Sequence, residues 1–109
     1  GYPVDKPSNG VLQDVHWSVG LFGYFPTYSL GNIYAGELFD KMSVDVPNLQ
    51  DDLGQGDTKQ ALAWLRENIH QHGSLYEPRE TIKHAVGHAP TAAPLLAYLN
   101  AKFGEIYGL

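Results

Sequence analysis

The sequence predicts an all-α fold of four or five helices. Apolar side chains recur at intervals of three and four residues over much of the chain, which is the period of one helix face. Residues that favour helix ends punctuate these runs, with Pro in first turns and Gly after last turns. Residues 11–41 are less regular, but they lack the strict apolar and polar alternation that is typical of a strand.

Two helical pieces are expected in residues 11–41, separated near Pro26. Proline has no backbone N–H, so it should break or kink the chain close to Tyr24. The apolar face of the first piece would consist of Leu12, Val15, Val19 and Phe22. Helical spacing resumes at Leu30 and continues to Leu38.

Residues 43–56 are expected to form a flexible loop, because Pro, Asn, Asp and Gly are concentrated there. Directly after this loop, Asp57 and Gln60 have the spacing of a capping box, which marks the start of a helix. That helix should end at Gly73, a residue type common just beyond helix C-termini.

Two further helices are predicted towards the end of the chain. Pro78 in a first turn, Glu80 near the positive end of the helix dipole and Gly87 as a C-cap define the shorter one. Thr91 can cap the last helix, whose first turn tolerates Pro94. The apolar residues of this last helix are Leu95, Leu96, Leu99, Phe103 and Ile106.

Composition excludes several classes of function. The chain has 109 residues, a length at which about two-thirds of the unfolded surface can be buried. It has no Cys, which excludes a disulfide scaffold and any Cys-based zinc site. The net charge is −5 and the seven basic residues are scattered, so a nucleic-acid partner is not expected.

Residues 15–36 contain no Asp, Glu, Lys or Arg. A run of this length could cross a bilayer, but Pro26, Asn32 and several Gly and hydroxyl residues make it too polar, so no membrane partner is expected. Buried helical core or the wall of a cleft is the expected role. The N-terminus shows no positively charged leader before an apolar run.

Three side chains in this uncharged run call for an explanation: His16, Tyr24 and Tyr28. Ionisable and hydroxyl groups inside an aromatic, apolar stretch are typical of an active site. The alternative is structural, since a His beside Trp17 on an apolar helix is usually a hydrogen-bonded core residue. Either Tyr could likewise be an aromatic anchor whose hydroxyl reaches water.

The order of residues in this region resembles the C-terminal signature of the Taq-type zinc metallocarboxypeptidases. That signature reads G-x-x-Q-D-x-H-W, here residues 10–17, followed by Gly-Tyr-Phe-Pro-x-Tyr-x-Leu-Gly, here residues 23–31. A weaker similarity continues through residues 64–70 and 94–98 to the closing Tyr-Gly-Leu. The resemblance implies that residues 1–109 are the C-terminal helical segment, about the last fifth, of a larger all-α metallopeptidase.

The zinc site of such enzymes is an H-E-x-x-H helix with a downstream Glu, and no H-E-x-x-H occurs in this chain. The resemblance therefore implies a parent whose zinc, or similar divalent ion, is bound by its N-terminal catalytic part and not by this segment. It also implies that the parent removes single residues from peptide C-termini and is a cytosolic homodimer. The segment alone should be inactive.

The resemblance also implies roles for individual residues. His16 and Tyr24 match a His and a Tyr that approach the substrate in the wider family, and both types can donate a hydrogen bond to an oxyanion. Tyr28 is the candidate contact for the substrate or its carboxylate, although the two Tyr roles could be reversed. Gln13 and Asp14 are further substrate-binding candidates, with backbone bracing expected for Gln13.

Asp14 could orient His16 through the second ring nitrogen, as carboxylates often do. On a helix, however, residues two apart point in different directions, which favours a structural hydrogen bond of a buried Asp14 instead.

The other histidines are not expected to bind metal. His84 and His88 have the spacing of a helical zinc pair, but Ala85 stands where the required Glu would be, and Gly87 should end the helix. His70 and His72 fit the negative end of a helix dipole.

Two functions remain open. The first is the C-terminal part of a metallocarboxypeptidase, which lines the substrate cleft. The second is an autonomous helical module that binds a peptide or a protein without catalysis. In the first case residues 15–36 have lost their natural neighbours, so the segment from Trp17 to Phe25 should self-associate or be disordered. A well-ordered monomer would favour the second case.

Overall fold

The computed structural model describes residues 3–109, so the first two positions of the predicted 1–109 segment lie outside the described residues. The described part contains five α-helices and no strand, which confirms the all-α prediction. The helices are α1 (Pro26–Asp45), α2 (Leu49–Gly54), α3 (Lys59–Asn68), α4 (Pro78–Val86) and α5 (Ala93–Tyr107). Short 3-10 turns cover Pro7–Asn9, Val11–Gln13 and His70–His72. Among the helices described, none has both the length and the apolar character needed to cross a membrane.

Residues 14–25 form turns, so the predicted first helical piece is wrong. Gly20 and Gly23 have φ angles of 76° and 75°, values that a right-handed helix excludes and that glycine adopts without a steric penalty. Pro26 is the first residue of α1 and does not interrupt a helix. Its missing N–H is of no consequence there, because the first N–H groups of a helix have no intrahelical partner.

The flexible loop expected at residues 43–56 is also corrected, because most of it is helical. Helix α1 continues to Asp45, and α2 occupies six of the remaining positions. Leu49 at the start of α2 is 2% exposed, while Asp51 and Asp52 lie in the first turn, where the helix dipole favours acidic side chains. Burial of one apolar side chain and favourable electrostatics therefore outweigh the turn-forming composition.

The predicted start of α3 is close to the observed one, but the helix ends earlier than predicted. The N-cap of α3 is Thr58, and the carboxylate of Asp57 accepts a hydrogen bond from the Lys59 N–H at 2.9 Å, so the cap lies one residue later than expected. Helix α3 ends at Asn68, before the His70–His72 turn that Gly73 terminates.

Helix α4 begins at Pro78 and is capped by Gly87 in the left-handed conformation, as the sequence predicts. The N-cap of α5 is Ala92 and not Thr91, although the Thr91 hydroxyl still accepts from the Ala93 N–H at 3.3 Å.

The core is small and lies where α1 meets α2, α3 and α4. Its buried apolar residues are Met42, Leu49, Trp64, Ile82, Ala85 and Val86. The Trp64 indole N–H donates to the carboxylate of Asp45 at 2.8 Å. Helix α5 packs against α1 at Gly36, where a Cβ atom would lie only 3.1 Å from the backbone nitrogen of Leu95. None of the described residues before α1, which are residues 3–25, belongs to this core, and most of their side chains are exposed.

Candidate active site

The candidate site lies where the 14–25 turns meet the start of α1. His16 comes from the turns, Tyr24 immediately precedes the helix, and Tyr28 lies in its first turn. The Leu21 N–H donates to the carbonyl oxygen of His16 at 2.8 Å, which folds the turn segment back on itself. This reversal lets a residue ten positions before the helix contact the helix N-terminus.

Both ring nitrogens of His16 have a hydrogen-bonding partner. Nδ1 lies 2.8 Å from Oδ1 of Asp14, and Nε2 lies 2.9 Å from the hydroxyl oxygen of Tyr28. The three side chains thus form one chain of hydrogen bonds, which we call the Asp14–His16–Tyr28 chain. A histidine held at both nitrogens has a fixed ring orientation.

The expectation that Asp14 and His16 would point apart is wrong. It assumed a helix, and the turn geometry instead lets Oδ1 of Asp14 accept both the backbone N–H and the ring nitrogen of His16 at 2.8 Å. Asp14 is exposed rather than buried. The His16 backbone N–H, and after it the ring, hold the pKa of Asp14 below its usual range, so the carboxylate stays ionised.

Aromatic rings surround His16. The centroid of Phe25 lies 4.7 Å from the imidazole, and the rings of Tyr24 and Tyr28 lie at 5.9 Å each. Tyr24 and Tyr28 also contact each other in a T-shaped arrangement with 5.5 Å between centroids. The two Tyr residues therefore lie beside the same imidazole, although Pro26 stands between them in the sequence.

The two hydroxyl groups nevertheless differ. Tyr28 is bound to Nε2 of His16, whereas Tyr24 contacts the imidazole only through its ring. Tyr24 is 41% exposed and Tyr28 is 51% exposed, so both side chains are accessible to a ligand. The coupling of Tyr28 to His16 was not predicted, because it depends on the turn that brings residue 16 back to the helix.

Gln13 lies in the Val11–Gln13 turn, and its side-chain amide donates to the backbone carbonyl of Ser8. This contact braces the N-terminal turns against each other. It places Gln13 in the backbone scaffold of the segment that precedes His16.

Metal ligands do not converge in this segment: nowhere in residues 3–109 do three or more His, Cys, Asp or Glu side chains come together as an ion would require. His84 stacks on Tyr76, with 4.3 Å between the ring centroids. His88 follows α4 and places Nε2 3.6 Å from a carboxylate oxygen of Glu37.

Comparison with known proteins identifies the family. Residues 1–103 match the family model of the carboxypeptidase Taq (M32) metallopeptidases. Thermostable carboxypeptidase 1 of Thermus thermophilus is 46% identical over 100 residues, which cover 92% of this chain and 20% of that protein. Carboxypeptidase 1 of Bacillus subtilis is 41% identical over 107 residues, which cover 98% of this chain and 21% of that protein.

Comparison with solved structures indicates the same family. The crystal structure of an M32 carboxypeptidase from Deinococcus radiodurans R1 superposes with a TM-score of 0.81 and 38% identity, over 100% of this chain and 22% of that one. The chain thus spans about a fifth of the length of the relatives it matches. A family match over nearly all of its residues, together with the shared helical fold, establishes that the chain belongs to the carboxypeptidase Taq (M32) metallopeptidase family.

Proposed function

We propose that this chain is the C-terminal part of a metal-dependent carboxypeptidase, a hydrolase that removes single residues from the C-termini of peptides. The observation that carries the proposal is the accessible cluster of His16, Tyr24 and Tyr28 in a chain of this family. The proposed parent is a cytosolic homodimer that binds zinc or a similar divalent ion through residues outside this chain. The segment hydrolyses no peptide by itself.

Within this proposal, Tyr24 is the oxyanion donor. Negative charge develops on the oxygen of the scissile carbonyl during hydrolysis, and a preorganised hydroxyl stabilises it. The Tyr28 hydroxyl is already engaged with His16, whereas the Tyr24 hydroxyl lies outside that chain of hydrogen bonds. This difference favours Tyr24 over Tyr28 for the donor role.

His16 is the second catalytic residue of the proposal. Its ring contacts Tyr24, and its Nε2 lies 2.9 Å from the Tyr28 hydroxyl, so His16 would approach the substrate between the two Tyr residues. A histidine can donate a hydrogen bond to an oxyanion from a ring nitrogen that carries hydrogen. Asp14 positions the imidazole, Tyr28 binds the substrate, and Gln13 supports the backbone beneath them.

A chimera tests this function. The 109-residue chain would replace the matching fifth of Bacillus subtilis carboxypeptidase 1, and release of C-terminal residues from a blocked dipeptide would be measured with the metal present. We expect the chimera to be active and His16→Ala to abolish most of that activity. His70→Ala is the matched control, because His70 is exposed and distant in sequence from the site. A folded, metal-loaded chimera without activity, or equal activity of the two variants, would contradict the proposal.

A further inference from the structure

The direction of the hydrogen bonds through His16 follows from the nature of its two partners. An ionised carboxylate only accepts hydrogen bonds, and Oδ1 of Asp14 lies 2.8 Å from Nδ1. Nδ1 must therefore carry the hydrogen, because an unprotonated Nδ1 would place one lone pair against another. The lowered pKa of Asp14 keeps the carboxylate in the accepting form.

In the neutral imidazole only one nitrogen carries hydrogen, so Nε2 has a lone pair. The Tyr28 hydroxyl, 2.9 Å away, then donates its single hydrogen to Nε2. What Tyr28 still offers to a ligand is the lone pairs of its oxygen. These can accept a hydrogen bond but cannot donate one.

We infer that Tyr28 recognises an N–H group of the peptide substrate, and not its terminal carboxylate. A carboxylate is also a pure acceptor, so it would find no hydrogen at the Tyr28 oxygen while His16 is neutral. A backbone N–H of the peptide next to the scissile bond matches the remaining lone pairs. Asp14 is then a positioning residue, since it sets the tautomer of His16 and through it the polarity of the Tyr28 hydroxyl. The identity of the ligand as a peptide rests on the proposed function.

The tautomer can be measured in the folded chimera described above, by a readout that does not depend on its activity. Nitrogen NMR of labelled histidine at neutral pH should show a protonated Nδ1 and an unprotonated Nε2 for His16. Tyr28→Phe should shift the Nε2 signal because the donor is lost, and Asp14→Ala should give a mixture of tautomers. Asp14→Asn keeps an accepting oxygen and should retain the wild-type tautomer. An Nε2-protonated or doubly protonated His16 would overturn the inference.

The substrate contact is tested in the chimera by combining one change in the protein, Tyr28→Phe, with one change in the substrate. The proposed donor is the backbone N–H of the residue that precedes the scissile bond. N-methylation of that nitrogen removes the donor. We expect this methylation to lower kcat/KM about tenfold more in the wild-type chimera than in the Tyr28→Phe chimera. The variant has no oxygen that could accept the hydrogen bond, so it has no such contact to lose. An equal loss in both proteins would overturn the inference. An inactive chimera would instead contradict the proposed function, and the NMR result on His16 would still decide the hydrogen-bond direction.

Discussion

Replacing Glu37 with Ala should destabilise the fold more than any change at an exposed carboxylate of this chain. Glu37 on α1 is 2% exposed, and its Oε1 accepts hydrogen bonds from the backbone N–H and the hydroxyl of Thr91, at 2.6 and 2.9 Å. The two residues are 54 positions apart, so these bonds tie α1 directly to the start of α5. Their loss would loosen the close packing of α5 against α1 at Gly36.

The magnitude follows from these two bonds. A hydrogen bond to a charged acceptor contributes about 1.5–3 kcal/mol. Thr91 is exposed, so water can replace part of what is lost, and removal of a buried charge returns some desolvation energy. We therefore expect Glu37→Ala to lower the free energy of unfolding by about 3 kcal/mol, a large part of the roughly 5–15 kcal/mol that is typical of a domain.

Denaturant unfolding in urea, followed by the fluorescence of the buried Trp64, measures this change. Glu37→Gln is the matched control, because the amide keeps one oxygen that can accept both bonds, and its loss should not exceed about 1 kcal/mol. Equal losses for Ala and Gln, or a loss below about 1 kcal/mol for Ala, would show that these hydrogen bonds do not hold α5 to α1.

Three further outcomes are expected. The isolated chain should release no C-terminal residue from a blocked dipeptide with zinc, cobalt or manganese added; metal-dependent release by the pure chain would refute this. Because the pKa of Asp14 is lowered, its contribution to stability is present above the usual Asp range and is lost as the pH falls through the lowered value. Carboxyl NMR should therefore show a lower titration midpoint for Asp14 in the wild-type protein than in the His16→Ala variant. Light scattering should show self-association through residues 17–25, where aromatic side chains are exposed, and Trp17→Ser should reduce it; a clean monomer with protected amides there would contradict the expectation.

The helices that could be predicted are those with local boundary signals. Pro78 and Gly87 act within one turn of the ends of α4, so the sequence alone places that helix. Residues 43–56 were misjudged because burial of Leu49 depends on tertiary contacts that composition does not reveal. The hydrogen bonds between Glu37 and Thr91 could not be predicted for the same reason, because no local sequence signal near either residue indicates its partner.

The candidate site shows the same division. The motif singled out His16, Tyr24 and Tyr28 as candidates, and the structure brings their rings together. Their arrangement was misjudged because a helical period was assumed for residues 14–25, whereas the backbone turns at Gly20 and Gly23. The hydrogen bonds of His16 with Asp14, two positions away, and with Tyr28, twelve positions away, follow from those turns and not from any periodicity.

The most direct test of the catalytic account compares Tyr24→Phe with Tyr28→Phe in the chimeric carboxypeptidase. Loss of one oxyanion donor costs about 10²–10³ in rate, roughly 3–4 kcal/mol of barrier. The account predicts that Tyr24→Phe lowers kcat by this factor with little change in KM and with unchanged metal content, whereas Tyr28→Phe acts mainly on substrate binding. Near-normal kcat for Tyr24→Phe together with a large loss for Tyr28→Phe would reverse the two roles, and near-normal kcat for both would contradict the catalytic role of this cluster.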